Sequence, residues 1–343
     1  ISTLHSQKSK KMRSKIFIGM LSLGVALLSA CNEKMATNNS ATSLPTGIKF
    51  IEPSFIDSTV NPADDFYMYA GGNWMKKNPI PASETRWGSF NLLEDFNKMA
   101  LKSILEESSA SKNSTQGSPT QMVGDLYASG MDTVSINKAG VAAIQTELDK
   151  INSITDTKSL LNEIARENIN GYNPLFTLYV GPDDKEVSKN ICNLYQGGLG
   201  LPDRDYYLKN DPQETEIRAK YLVHIANMLK LSGESEIDAT KNASLIMQIE
   251  TALAKASMDR VSMRDPYKIY NKFSVTALNA ITPTIEWKEF LEKINIKNED
   301  TMLVAQPDFF ASMSKMLNST PIEDWKIYLK WHLLSGMAAF LSA

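Results

Sequence analysis

Hydrolytic chemistry needs histidines, carboxylates or an activated thiol within reach of one another, and this chain is poor in the first and the last. Its histidines are His5, His224 and His332, and its cysteines are Cys31 and Cys192. His224 and His332 have no second histidine or carboxylate three or four positions away, so neither builds a metal-binding face on a helix. A zinc hydrolase site needs two histidines one helical turn apart, a glutamate base and a third ligand, and H-E-x-x-H is absent. No G-x-S-x-G elbow occurs, and no cysteine has a catalytic setting. Both histidines read as structural. Cys192 stands in an apolar run with Ile191 and Leu194, which predicts a buried, unreactive thiol. Arg86 is a different case. Periodic apolar residues Leu92, Leu93, Phe96, Met99, Ala100 and Ile104 predict a helix from about Glu84 to Glu107. An arginine in its first turn opposes the helix dipole and wants a reason. A salt bridge with Glu84 or a distant acid is one.

The elements that would position such residues are mostly helical. Helices are predicted from Pro119, from Ser135 to Ile151, after Asp156 with Gly171 closing it, over the stretches around Tyr221 and Ile249, and from Pro321 to Leu341. Two short helices are expected between Ser274 and Leu291, and a strand over Thr301 to Gln306. Between Leu175 and Gln196 the period changes. Two β-branched and aromatic runs flank a polar turn, which predicts a hairpin. The hairpin delivers the chain to Q-G-G-L-G-L-P-D-R-D-Y-Y-L at 196–208. Glycines, Pro202 and a capping Asp203 there predict a tight turn opening into a short helix. Asp203 stands where a dinucleotide fingerprint needs its third glycine, so a phosphate cradle is disfavoured.

That stretch resembles the G-G-L-G-L-P-D-R-D-Y-Y segment of the neprilysin and endothelin-converting-enzyme family of zinc metallopeptidases, whose members include bacterial oligopeptidases. Three further blocks resemble the family in order: D-S-T-V-N-P-A-D-D-F-Y-M-Y-A-G-G-N-W at 57–74, E-T-A-L-A with R-D-P between 250 and 266, and Y-L-K-W-H-L-L at 328–334. In the first block, Phe66, Tyr69 and Trp74 read as aromatic packing around a helix that Gly71-Gly72 interrupts. The resemblance runs from about residue 55 to the last residue and covers the amino-terminal half of such an enzyme. It implies a mainly α fold: a multi-helix domain with a small β-hairpin, forming the amino-terminal part of a two-lobed peptidase. It implies one zinc ion, with its ligands and the general base in a carboxyl-terminal catalytic domain beyond this sequence, and peptides as substrates. It also supplies a second reason for Arg86. In the family an arginine in the R-[Y/W]-G-x-F context pairs with the carboxyl end of the substrate, a task that suits a guanidinium. Where the family often has an acid five residues on, this chain has Asn91.

The beginning of the chain carries its own signals. Lys10, Lys11, Arg13 and Lys15 precede an apolar run from Ile16 to Ala30, too short for a spanning helix at roughly 20 residues and laid out like a secretory signal. It ends L-S-A-C, which resembles a bacterial lipobox with Cys31 as the lipidated residue. An ordinary signal peptide cut near Ala30 is the alternative. The expected organisation is therefore upstream residues and signal peptide at 1–31, a flexible linker at 32–54, and a helical peptidase domain at 55–343. The expected location is a bacterial cell envelope, with a membrane contacted through the lipid, on the periplasmic or outer face. With 343 residues, a net charge of −3 and 22% charged residues, the chain has ordinary globular composition and no basic excess to recruit nucleic acid. The helix at 321–341 carries no stop signal, so the expectation is an enzyme truncated before its zinc domain. A non-catalytic lipoprotein that binds peptides or a partner is the competing expectation.

Overall fold

The computed structural model describes residues 51–342. The signal segment, Cys31 and nearly all of the expected linker lie outside the described residues. Two compact units are present, one running to Tyr127 and the other from Ala128 onward.

The first unit contains α1 (Phe66–Lys77), α2 (Ser89–Ala110) and most of α3 (Pro119–Met131). Asp65 caps α1 by accepting from the Met68 N–H at 2.9 Å. Contrary to expectation, α1 runs unbroken through Gly71 and Gly72. Gly72 is buried there because Asp57 packs on it, and a Cβ would come within 3.0 Å of the Asp57 Cβ. Asp57 is itself buried, and its bond from Lys76, with help from Thr59, lowers its carboxyl to about 2. Gly124 likewise lets α3 cross the Ser108 backbone of α2. In this unit no large apolar side chain among the described residues is buried. Of the expected aromatic packing, Phe66 meets Tyr69 at a centroid distance of 6.2 Å but stays 69% exposed, while Tyr69 and Trp74 are half-buried.

The second unit holds the core. Its helices begin with α4 (Thr133–Ala139), a 3₁₀ turn at Gly140–Ile144 and α5 (Gln145–Asn152). A single helix was expected here, but Gly140 takes φ +51, which ends α4. Next, α6 (Thr157–Ile169) starts from a capping box at Asp156 and closes as predicted on Gly171, at φ +84. The Tyr172 N–H reaches the Glu167 carbonyl and the Gly171 N–H that of Asn168, the paired bonds of a Schellman closure.

The predicted hairpin is β1 (Phe176–Pro182) with β2 (Asn190–Gln196), antiparallel with Leu178 opposite Leu194. There follow α7 (Asp205–Leu208), α8 (Pro212–Leu231), α9 (Glu236–Ala256), β3 (Lys272–Ser274), α10 (Val275–Ile281), α11 (Trp287–Lys293), β4 (Thr301–Val304), α12 (Pro307–Ser319) and α13 (Ile322–Met337). The hairpin belongs to a four-stranded mixed sheet in the order β1-β2-β4-β3, with β2 and β4 parallel. Asp183 fixes its turn to β3: it is 1% exposed and accepts from Lys272 and Tyr270 at 2.8 Å each. Helices cover the sheet through an aromatic cluster. Phe176 of β1 meets Trp287, Phe290 and Phe310 at centroid distances of 5.5–5.6 Å, mostly edge to face. Cys192 is fully buried and burial pushes its thiol up to about 12, as its apolar run predicted.

The turn after β2 is the tightest approach in this unit. Gly198 adopts φ +77, and a Cβ there would stand 2.6 Å from the Tyr328 hydroxyl and 2.9 Å from Leu253. Gly198→Ala is expected to cost about 2 kcal/mol or more. Gly130→Ala in α3, where a Cβ meets nothing within 4 Å, should be neutral or stabilising by up to about 1 kcal/mol. Urea midpoints of the two variants check the contrast.

Candidate functional site

The two sequence-predicted site residues fare differently. Arg86 is described and Cys31 is not. Arg86 lies in an irregular stretch ahead of α2, not in its first turn, because the helix begins only at Ser89 with Gly88 as its N-cap. The conflict with the helix dipole therefore does not arise. The side chain is exposed, and no ion pair joins it to Glu84 or to any other acid among the described residues. Its guanidinium is presented to solvent. The arrangement satisfies the first requirement for binding a carboxylate, a cation not already neutralised.

The sequence reading missed a second feature, a set of buried acids in the core. Glu250 of α9 has no exposed surface. Its Oε2 accepts from the Tyr207 hydroxyl of α7 at 2.7 Å, and its Oε1 from the Tyr221 hydroxyl of α8 at 3.0 Å. The Gly200 N–H also donates to it. Tyr207 accepts in turn from the Leu201 N–H at 2.8 Å, and Tyr221 from the Trp331 indole at 3.2 Å. The glycine-rich stretch is thus a staple. Its Gly200 is glycine because the Tyr221 hydroxyl occupies the Cβ position. Around it, the Gln196 side chain exchanges two bonds with the backbone of Met258, and Arg204 donates to the Ser257 carbonyl at 2.7 Å. The phosphate-cradle reading stays disfavoured, since the turn is filled by the protein's own side chains.

His332 of α13 packs beside this cluster, its Nε2 3.7 Å from Glu250 Oε1. Burial lowers the imidazole to about 4, so it is neutral near pH 7 and the contact is not an ion pair. Burial likewise raises Glu250 to about 7, although the tyrosine and Gly200 bonds pull the other way. A third group, Glu167 of α6, is raised to about 8 by burial first and by the nearby Glu163 second. His224 stacks edge-on to Trp331 at 5.8 Å, a packing role as expected. The signal for the acids was present in the sequence. Glu250 falls on the Ile246–Ile249–Leu253 stripe and Glu167 on the Leu160–Ile164 stripe, where a carboxylate breaks the pattern.

Among the described residues, no group of three or more His, Cys, Asp or Glu side chains could hold a metal ion. The residues present here do not fit zinc. No helix among the described residues is long and apolar enough to cross a membrane.

These buried acids set the pH dependence of stability. Glu167 and Glu250 have folded values above an unfolded value near 4.5, so their contribution is full below that and is lost as pH rises through about 8. His332 is depressed, so its contribution is lost as pH falls from 6.5 through about 4 and offsets the acids in that range. Above pH 6.5 the acids act alone. The protein should lose about 2 kcal/mol of unfolding free energy between roughly pH 6.5 and 8, and Glu167→Gln should remove the larger share of that slope. Chemical denaturation across that range measures it.

Comparison with known proteins places this architecture. The model for the amino-terminal region of peptidase family M13 matches residues 62–343. Endothelin-converting enzyme 1 of Rattus norvegicus is 28% identical over 356 residues, covering 98% of this chain and 45% of the relative. The crystal structure of the Mycobacterium tuberculosis zinc metalloprotease ZMP1 in complex with an inhibitor superposes with a TM-score of 0.77 at 30% identity, over 85% of this chain and 44% of the other. PepO from Lactobacillus rhamnosis shares the fold, with a TM-score of 0.64 at 18% identity. The chain spans less than half the length of these relatives. On the match across 62–343 and the shared mainly helical fold, the chain belongs to peptidase family M13, of which it is the amino-terminal part.

Proposed function

We propose that this chain is the amino-terminal part of a zinc metalloendopeptidase that hydrolyses peptides. The observation that carries the reading is the family match over most of the chain, joined to the fold shared with a zinc metalloprotease at 30% identity. Zinc enters through the relatives. Its ligands and the general base are assigned to the portion of the relatives' length that this chain does not span. The exposed apolar side chains of the first unit, such as Phe90, Leu93, Leu101 and Leu126, suit a surface that this remaining portion covers. By the resemblance in its leader, the protein is secreted and held on a bacterial envelope membrane by a lipid on Cys31.

Arg86 is proposed as a substrate-binding residue for the carboxyl end of the peptide. What supports this is its exposure and its lack of an acidic partner among the described residues. A guanidinium–carboxylate pair contributes about 1.5–3 kcal/mol. Arg86→Ala in the full-length protein should therefore raise KM for peptides with a free carboxyl end by roughly 10- to 100-fold, with kcat little changed and amidated peptides little affected. Zinc analysis of the same protein should give about one ion per chain. No zinc and no cleavage would leave a peptide-binding lipoprotein as the better account. A uniform loss on both peptide classes would remove Arg86 from the subsite.

A further inference from the structure

One of several clefts in the second unit lies beside the acids that shape its core. Where α6 and α13 end, a cleft of about 320 Å³ is lined by Glu167, Tyr172, Pro174, Gly200, Trp331 and His332, among others, with no lysine or arginine on its wall. Glu167 is only 3% exposed, yet its Oε1 accepts no hydrogen bond. His332 Nε2 and, beside Glu167, Asn168 Oδ1 are also buried without partners. Buried Gln306 Nε2 and Trp325 Nε1 also lack partners elsewhere in the core, but only at this cleft do three such atoms, one of them a carboxylate oxygen, fall on or beside one opening.

We propose that this cleft binds an organic cation, an alkylammonium or guanidinium group, on the Glu167 carboxylate. Several features favour a cation over other occupants. The helices α6 and α13 both finish at the cleft, so the negative ends of two backbone dipoles meet there. The Trp331 and Tyr172 side chains add aromatic surface to its wall, which attracts cations. An anion would meet the negative ends of the same two helices and find no lysine or arginine on the wall. A bare metal ion lacks a third ligand, since no three-residue group forms among the described residues. The volume exceeds the roughly 30 Å³ share of one water. His332, kept neutral by burial, adds no repulsion, and its Nε2 can accept a bond. The inference stands apart from the peptidase reading and needs no zinc.

Charge balance gives the site a signature. Glu167 faces Glu163 and Arg166 on its own helix, Glu147 from α5, and Tyr328 and His332 from α13. With the cleft empty, burial and Glu163 hold its carboxyl at about 8, so it carries a proton near pH 7. When a cation enters, that proton leaves to solvent and the carboxylate forms. Affinity should then rise about tenfold per pH unit below about pH 8 and level off above it.

The test is NMR of the His332 ring in the full-length protein, the signal assigned with His332→Gln, during titration with methylguanidinium and with butylammonium. The expected result is a saturable shift whose Kd falls about tenfold per unit between pH 6.5 and 7.5, and is at least about tenfold weaker in Glu167→Gln. That variant matches the protonated acid in shape, so an unchanged melting temperature at pH 6.5 shows that it folds. A shift that is absent, independent of pH or retained in Glu167→Gln overturns the site and leaves a pocket filled by water.

Discussion

A carboxyl group with no exposed surface persists in an apolar core only if donors surround it, and Glu250 imposes that requirement on the whole second unit. Its donors come from α7, α8 and the glycine-rich turn, and the indole of α13 supports them at one remove. The consecutive run from Gly200 through α8 must therefore fold back on α9, and the distant α13 must join them. The turn can reach the carboxyl only because Gly200 leaves room for the Tyr221 hydroxyl, and its neighbour Gly198 passes close under Tyr328, whose hydroxyl donates to the Pro174 and Gly198 carbonyls. The odd composition of that stretch is thus an account of packing. It is the place where β2, the helices and the buried acid are joined.

The same core explains why its ionisable groups behave unlike those on the surface. Burial favours the uncharged form of each, raising Glu167 and Glu250 and lowering His332, so that a region with two acids and a base carries little charge near neutrality. Hydrogen bonds moderate the effect where they exist. Glu250 has three donors and is shifted less than Glu167, whose Oε1 has none. Asp57 and Asp183 show the opposite case. Both are buried, but each holds a lysine and backbone or hydroxyl donors, and both are shifted down. Where a lysine joins the donors the carboxyl is lowered; where neutral donors alone face deep burial, as at Glu250, burial still wins.

The two units differ in what they complete by themselves. The second closes a sheet, an aromatic cluster and a saturated acid inside its own boundaries. The first is built from helices that fully bury no large apolar residue, α2 having no buried residue along its length. An amphipathic helix gains most of its stability from a partner for its apolar stripe. Arg86 belongs to this unit, on a segment that no core constrains.

The sequence alone determined what depends on near neighbours. Apolar period placed α3, α6, α8, α9 and α13, the change of period placed the hairpin, Gly171 closed α6, and the run of odd residues at 196–208 with its companion blocks identified the family. Tertiary structure decided what depends on distant ones. The Gly71-Gly72 pair stays helical with Asp57 packed on it, the hairpin grows into a four-stranded sheet because β4 pairs with β2, and α2 starts at Ser89 rather than ahead of Arg86. Most of all, nothing local says that Glu167, Glu250 and His332 share one region. Each shows in sequence only as a polar residue on or near an apolar stripe. Their shifts arise first from burial, which exists only once the chain has brought residues some 80 positions apart, such as Glu250 and His332, into one core.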